Sequence, residues 1–204
     1  MVGARPNAVG FSQKAAAETW RAAIDAWFRT PSGDFLAYGG AADRRAADVR
    51  LTFNHSIIEW DIEAFTVTGR RAYLDQAGQL ARRWLDRQTG RGLFPEGPEE
   101  PWRGRSLLDA QVDLSVNLLK LSELSGDPAW ERAARTNFDA VRRDFRLPLG
   151  YAWEVDSGTG QIREPVVEVK YLGLLLKGYL GLRAVARGSR LRQSPLLWAL
   201  LRDR

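Results

Sequence analysis

Cysteine is absent from the 204-residue sequence. Disulfides, thiol nucleophiles and cysteine-based zinc sites are therefore excluded, while the redox compartment stays open, because a cysteine-free protein tolerates either state. Histidine occurs once, at His55, and lysine only at Lys14, Lys120, Lys170 and Lys177, so arginine carries almost all of the positive charge behind the net +5. No apolar run reaches the roughly 18 residues that a membrane span needs. The longest candidate, 171–182, is broken by Lys177 and three glycines. The first ten residues hold one arginine and no apolar stretch, unlike a secretory leader, so a cytoplasmic location is expected. Asn54-His55-Ser56 matches a glycosylation sequon, which without a leader reads as chance. A phosphate loop, a dinucleotide fingerprint and a nucleophile elbow are all missing, and no cofactor or metal is expected.

What is present suits a packed domain: 45% of residues are hydrophobic, 10% aromatic and 27% charged. The arginine pairs Arg44-Arg45, Arg70-Arg71, Arg82-Arg83 and Arg142-Arg143 are dispersed along the chain. They read as solvated helix surface rather than as a nucleic-acid groove, since no basic–aromatic interleaving accompanies them.

A repeat organises the chain. Thr68-Gly69-Arg70-Arg71-Ala72-Tyr73-Leu74 matches Ser125-Gly126-Asp127-Pro128-Ala129-Trp130-Glu131 at an offset of 57, and Trp27 stands over Trp84 and Ala77 over Ala134 at the same offset. Gly92-Leu93-Phe94 matches Gly150-Tyr151-Ala152 at 58, and Gly33-Asp34-Phe35 precedes Gly92 by 59. Each unit reads as a helix A, a Thr-Gly or Ser-Gly turn, a helix B, and a longer loop with a Gly-aromatic element. Expected helices cover 13–29, with Ser12 as a candidate N-cap, then 55–68, 71–88, 107–125, 128–144 and 165–186, with a short one at 195–201. Asp127-Pro128 supplies an N-cap followed by proline at the first helical position. A β-hairpin is expected over 147–164, turning at 156–160, and 31–53 and 89–105 read as loops.

B helices are amphipathic: Leu74, Ala77, Leu80, Ala81 and Trp84 step by three or four, with Arg82, Arg83 and Asp86 between. A helices are apolar around more of their circumference, as Leu114, Val116, Leu118, Leu119, Leu121 and Leu124 show. A helices are therefore inner and B helices outer, which gives an all-α fold of two helical layers with short β-hairpin loops. Tetratricopeptide and ankyrin units, at about 33–34 residues, and HEAT units, at about 40–47, are too short for this period. The chain reads as one domain over 1–204, with a leading outer helix at 13–30 and hairpins at 54–88, 106–145 and 165–204.

The run Asn117-Leu118-Leu119-Lys120-Leu121-Ser122-Glu123-Leu124-Ser125-Gly126-Asp127-Pro128-Ala129-Trp130, its weaker copy ending at Leu74, and the Gly-Leu-Phe and Gly-Tyr-Ala-Trp loops resemble the six-hairpin glycosidase-like (α/α) toroid superfamily. That superfamily includes glycoside hydrolases, unsaturated glucuronyl hydrolases, polysaccharide lyases and acylglucosamine 2-epimerases. The resemblance covers roughly residues 13–186. It implies an arc or partial (α/α) toroid of about half the usual length, a glycan, sugar or uronide site in the funnel at the inner-helix ends, and another copy or partner chain completing the ring. No catalytic signature of the superfamily is found.

Candidate chemistry comes from the residues themselves. Asp109, Asp113 and Asn117 step by four and share one stripe at the start of an inner helix, where two carboxylates could act as acid and base. Asp109 could equally answer the helix dipole, and Asp113 and Asn117 could bond within the core. His55, Glu59 and Glu63 repeat the spacing on the preceding inner helix, with His55 the natural proton-transfer group or else a structural one. Phe94, Trp102 and Trp153 lie in loops, beside Glu154, and either stack on sugar rings or plug the hairpin ends. Two readings follow: a carbohydrate-active enzyme using His55, Glu59, Asp109 and Asp113, or a non-catalytic helical scaffold that binds a protein partner or itself.

Overall fold

The computed structural model describes residues 8–37, 48–166 and 169–186. Six helices dominate them: α1 (Ala8–Phe28), α2 (Leu51–Thr68), α3 (Arg71–Asp86), α4 (Leu108–Ser125), α5 (Pro128–Asp144) and α6 (Val169–Ala186). The inner layer runs α2, α4, α6, with α4 packed against both others; α3 and α5 cover it from outside. On α4, 12 of 18 residues are buried, among them Leu114, Leu118 and Leu121. The all-α hairpin architecture expected from the sequence is the one observed. The expected helix at 195–201 and the loop residues 38–47 lie outside the described residues.

The repeat is visible in the backbone. Gly69 and Gly126 end α2 and α4 in the left-handed region, at φ 69° and 75°, and donate to Phe65 and Ser122. Only glycine takes that conformation without a Cβ penalty. Gly33 and Gly92, at φ 87° and 90°, close matching turns in which Thr30 N–H donates to Asp34 (2.8 Å) and Thr89 N–H to Leu93 (2.8 Å). The phenylalanine after each turn is held at both backbone groups by an amide from an inner helix. Asn54 binds Phe35 N–H and carbonyl at 2.9 and 2.8 Å, and Gln111 binds Phe94 N–H and carbonyl at 2.8 and 2.8 Å.

Several boundaries differ from the sequence reading. Ser12 lies inside α1, which starts at Ala8. The inner helix expected from 55 starts at Leu51, because its cap comes from another loop. Leu51 N–H donates to the Glu96 carbonyl (2.7 Å), and Glu96 Oε1 accepts from Thr52 N–H (3.3 Å) and Thr52 Oγ1 (2.6 Å). The next repeat does the same, with Leu108 N–H donating to the Trp153 carbonyl (3.0 Å). α5 matches its expected 128–144, and the Asp127 carboxylate accepts from Ala129 N–H (2.8 Å) as its cap.

The hairpin region is more elaborate than one turn. β1 (Arg105–Leu107), β4 (Glu154–Asp156) and β5 (Ile162–Glu164) form an antiparallel sheet in the order β1-β4-β5, and β2 (Arg146–Leu147) pairs with β3 (Gly150–Tyr151). Asp156 anchors the turn, accepting from Gly158 and Thr159 N–H and from Arg163. These contacts hold its carboxyl at about 2, with the Arg163 hydrogen bond as the main cause.

Candidate functional site

The inner helices carry a charge cluster on their facing sides. His55, on the second turn of α2, is buried, and its Nδ1 is buried without a hydrogen-bond partner. One turn later Glu59 accepts a hydrogen bond from Lys120 Nζ of α4 at 3.0 Å. Lys120 is itself buried. Burial pushes the Glu59 carboxyl up, but the ammonium of Lys120, with help from Lys177 and His55, wins and holds it below the ordinary carboxylate range. Asp113 of α4 lies 3.7 Å from Lys177 Nζ of α6, so the three inner helices are linked by two lysine–carboxylate pairs.

Asp109 occupies the first turn of α4 and its Oδ1 accepts from Ala110 N–H at 2.8 Å. Burial raises its proton affinity, Asp113 adds to the rise, and the Ala110 N–H and His55 oppose it. Glu63 is raised as well, by lost hydration and then by the Glu59 charge. His55 bears on both Glu59 and Asp109, and Lys120 and Lys177 bear on both Glu59 and Glu63. The structure thus brings His55, Glu59, Glu63, Asp109 and Asp113 into one electrostatic neighbourhood. Its carboxyls differ in proton affinity, Glu59 lowered and Asp109 raised, and they surround an imidazole whose Nδ1 has no hydrogen-bond partner. Among the described residues, no group of three or more acidic or histidine side chains is placed to hold a metal ion, and no helix is long and apolar enough to cross a membrane.

The remaining candidates sit differently. Asn117 is buried and spends its Nδ2 on the His55 carbonyl (2.8 Å), stitching α4 to α2 beneath the cluster. Phe94 is fully buried in the core, so it plugs the loop and offers no ring face to a ligand. Glu154 is buried in a two-point contact with Arg105, with Nε at 2.8 Å from Oε1, which makes it a strut between β1 and β4. Trp102 is half-buried; Arg50 and Arg105 place their guanidiniums 3.8 and 4.8 Å from its ring, and its Nε1–H donates to Asp48 at 2.9 Å. Trp153 is half-buried, and its carbonyl accepts from Leu108 N–H at the start of α4.

Sequence reasoning missed Lys120 and Lys177 as members of the cluster, and Glu96 beside it. Glu96 is fully buried, binds Arg50 Nε at 3.0 Å, and keeps one carboxylate oxygen unpartnered. Burial raises its proton affinity against the pull of Thr52 and Arg50. The signal for the lysines was the repeat itself, since Lys120 and Lys177 are 57 residues apart.

No family model and no curated protein matches the sequence. Solved structures do match. A D-mannose isomerase superposes with a TM-score of 0.74 at 19% identity, over 94% of this chain and 54% of its own. A cellobiose 2-epimerase from Bacillus thermoamylovorans B4167 gives 0.74 at 8% identity, over 94% and 54%. A family 76 glycoside hydrolase, a mannosidase from Bacteroides thetaiotaomicron, gives 0.70 at 13%, over 92% and 52%. Identities this low speak for architecture alone, and on that evidence the chain has the fold of the six-hairpin (α/α) toroids and spans about half the length of the rings it matches.

Proposed function

We propose that the facing sides of α2, α4 and α6 form part of a sugar site that transfers protons, with His55 and Asp109 as the exchanging groups. The observation that carries this reading is the convergence of His55, Glu59, Asp109 and Asp113 on one lysine-bridged cluster. Asp109, whose proton affinity is raised by burial, suits a general acid, and the open Nδ1 of His55 suits a base. Glu59, held below the ordinary carboxylate range by Lys120, supplies a fixed negative charge near His55. On an open-chain sugar the base removes the proton from the carbon next to the carbonyl, and the acid returns one, so epimerisation or isomerisation is balanced without a cofactor. Structural neighbours named as a mannose isomerase and a cellobiose epimerase, beside a family 76 glycoside hydrolase, support sugar chemistry of this class on the same architecture.

The test is a panel of aldoses, disaccharides and manno-oligosaccharides, followed by proton NMR for new anomeric signals and by saturation transfer for binding. Wild type should bind at least one sugar and exchange its C2 proton with deuterated solvent, while His55→Gln and Asp109→Asn should bind without exchange. Absence of binding and exchange for every sugar sinks the reading.

A non-catalytic scaffold remains the second reading. Its support is the exposure of Trp20 and Trp27 on α1, a surface suited to a partner and unrelated to sugar chemistry.

A further inference from the structure

The outer helices α1 and α3 occupy the same position in successive repeats. At the offset of 57, Trp20 corresponds to Ala77, Ala23 to Leu80 and Trp27 to Trp84. Ala77, Leu80 and Trp84 are 0%, 3% and 0% exposed, because α3 lies against α2 and also reaches α4. Their counterparts Trp20 and Trp27 are 71% and 62% exposed. The other side of α1 is occupied: Arg21 forms a two-point ion pair with Asp61 of α2 (2.6 and 2.9 Å), and Phe28 packs 6.1 Å from Phe53. Among the described residues, no inner helix stands ahead of α2 to cover that side of α1. At the other end of the described arc, α6 is an inner helix with Leu175 buried, Gly178 against Phe138 of α5 and Val112 of α4, and Leu176 and Leu180 exposed. One edge is built to receive an inner helix, and the other edge is one.

We propose that a second copy of this chain joins these edges, α6 of each copy seating on α1 and α2 of the other, so that two arcs close one ring of six hairpins. Curvature sets the number. The chain superposes on half of six-hairpin rings, so three hairpins sweep about half a turn and two copies meet at both seams. A head-to-tail contact normally propagates, and it closes when the rotation per subunit divides the circle. Charge agrees. Glu63, Lys120 and Lys177 stand at one repeat position, 57 residues apart. Lys120 and Lys177 each reach back to a carboxylate on the preceding inner helix, Glu59 and Asp113. Glu63 has no such preceding inner helix among the described residues. Across the seam it would meet α6, on which the sequence sets Lys170 at the register of Asp113, a charge opposite to that of Glu63. Area agrees as well. Trp20, Trp27 and the 45%-exposed Trp60 of α2 recur at both seams. Aromatic side chains of this size bury about 150–250 Å² each when fully covered. With the surface they cover on the partner, they approach the ~1,000 Å² of a specific interface. The proposal does not depend on the sugar reading, but closure would turn the open cluster face into a funnel.

Sedimentation and light scattering over a wide dilution series test it. The expected mass is twice 22.9 kDa. Trp20→Glu with Trp27→Glu should raise the dissociation constant at least tenfold while far-UV circular dichroism stays unchanged. Glu63→Lys should weaken the dimer, and adding Lys170→Glu should restore it. A monomer at every concentration overturns the proposal. So does a dimer indifferent to both sets of substitutions, and so does an open-ended series of larger assemblies.

Discussion

Lys120 Nζ on α4 sits 3.0 Å from Glu59 Oε1 on α2, and this bond ties the central inner helix to its neighbour at the heart of the charge cluster. Lys120→Met keeps the aliphatic stem and removes the charge. Glu59 then remains largely buried without its partner, and its proton affinity should cross from below to above the ordinary carboxylate value, because burial acts unopposed by Lys120. The expected loss of stability is about 1–3 kcal/mol, typical of a charge-assisted hydrogen bond whose acceptor is stranded. Urea denaturation and carboxyl-resolved NMR titration read the two effects separately. In the wild type, the lowered Glu59 value means its stabilisation is present at neutral pH and disappears as pH falls through the folded-state value.

Asp109 should behave in the opposite sense. Burial raises its proton affinity on folding, so ionised Asp109 costs stability at neutral pH, and that cost vanishes as pH drops below the unfolded value near 3.8. Asp109→Asn is therefore expected to leave the melting temperature unchanged or higher at pH 7 and to lose this advantage in acid. Thermal melts at the two pH values check it. A clear loss of stability at pH 7 would show that its bond to Ala110 N–H outweighs the burial cost.

Gln111 binds the backbone of Phe94 at both groups and also accepts from Asn137 Nδ2 at 2.8 Å. Gln111→Leu would strand those buried polar groups, at about 1–3 kcal/mol each. Denaturant midpoints should fall accordingly, and the parallel Asn54→Leu should show the same effect at Phe35. Equal midpoints for wild type and variant would refute the clamp.

Gly178 lets α6 approach α5 where a Cβ would collide with the ring of Phe138. Gly178→Ala should destabilise by about 1–3 kcal/mol through overpacking. Combining it with Phe138→Leu should recover part of that loss, which a double-mutant cycle measures.

Much of this architecture was legible in the sequence because the signals were local or periodic. Asp127-Pro128 fixes the start of α5, and the paired Thr-Gly and Ser-Gly turns fix the ends of α2 and α4. The start of α2 was not legible, since Arg50 makes no side-chain cap and the capping carboxylate is Glu96, 46 residues away. His55, Glu59, Asp109 and Asp113 were visible as polar stripes on apolar helices. Position in a loop left open whether Phe94 stacks on a sugar or plugs the hairpin end and gave no sign that Glu154 is a strut, because only the clamp of Gln111 and the brace of Arg105 turn these side chains inward. Lys120 escaped notice because a single lysine on a leucine-rich helix carries no pattern until α4 packs on α2 and places it opposite Glu59.

The borrowed caps have a consequence for how the molecule comes together. Leu51 N–H is satisfied by the Glu96 carbonyl and Leu108 N–H by the Trp153 carbonyl, each contributed by the segment synthesised later. A nascent hairpin therefore leaves the ribosome with a frayed helix start and completes it only when its successor docks. Such an array gains its order from neighbour contacts more than from any unit alone. Truncation after α3 should accordingly cost the helicity of the first turn of α2 as well as the missing elements, so that the arc assembles like a zip whose every tooth waits for the next.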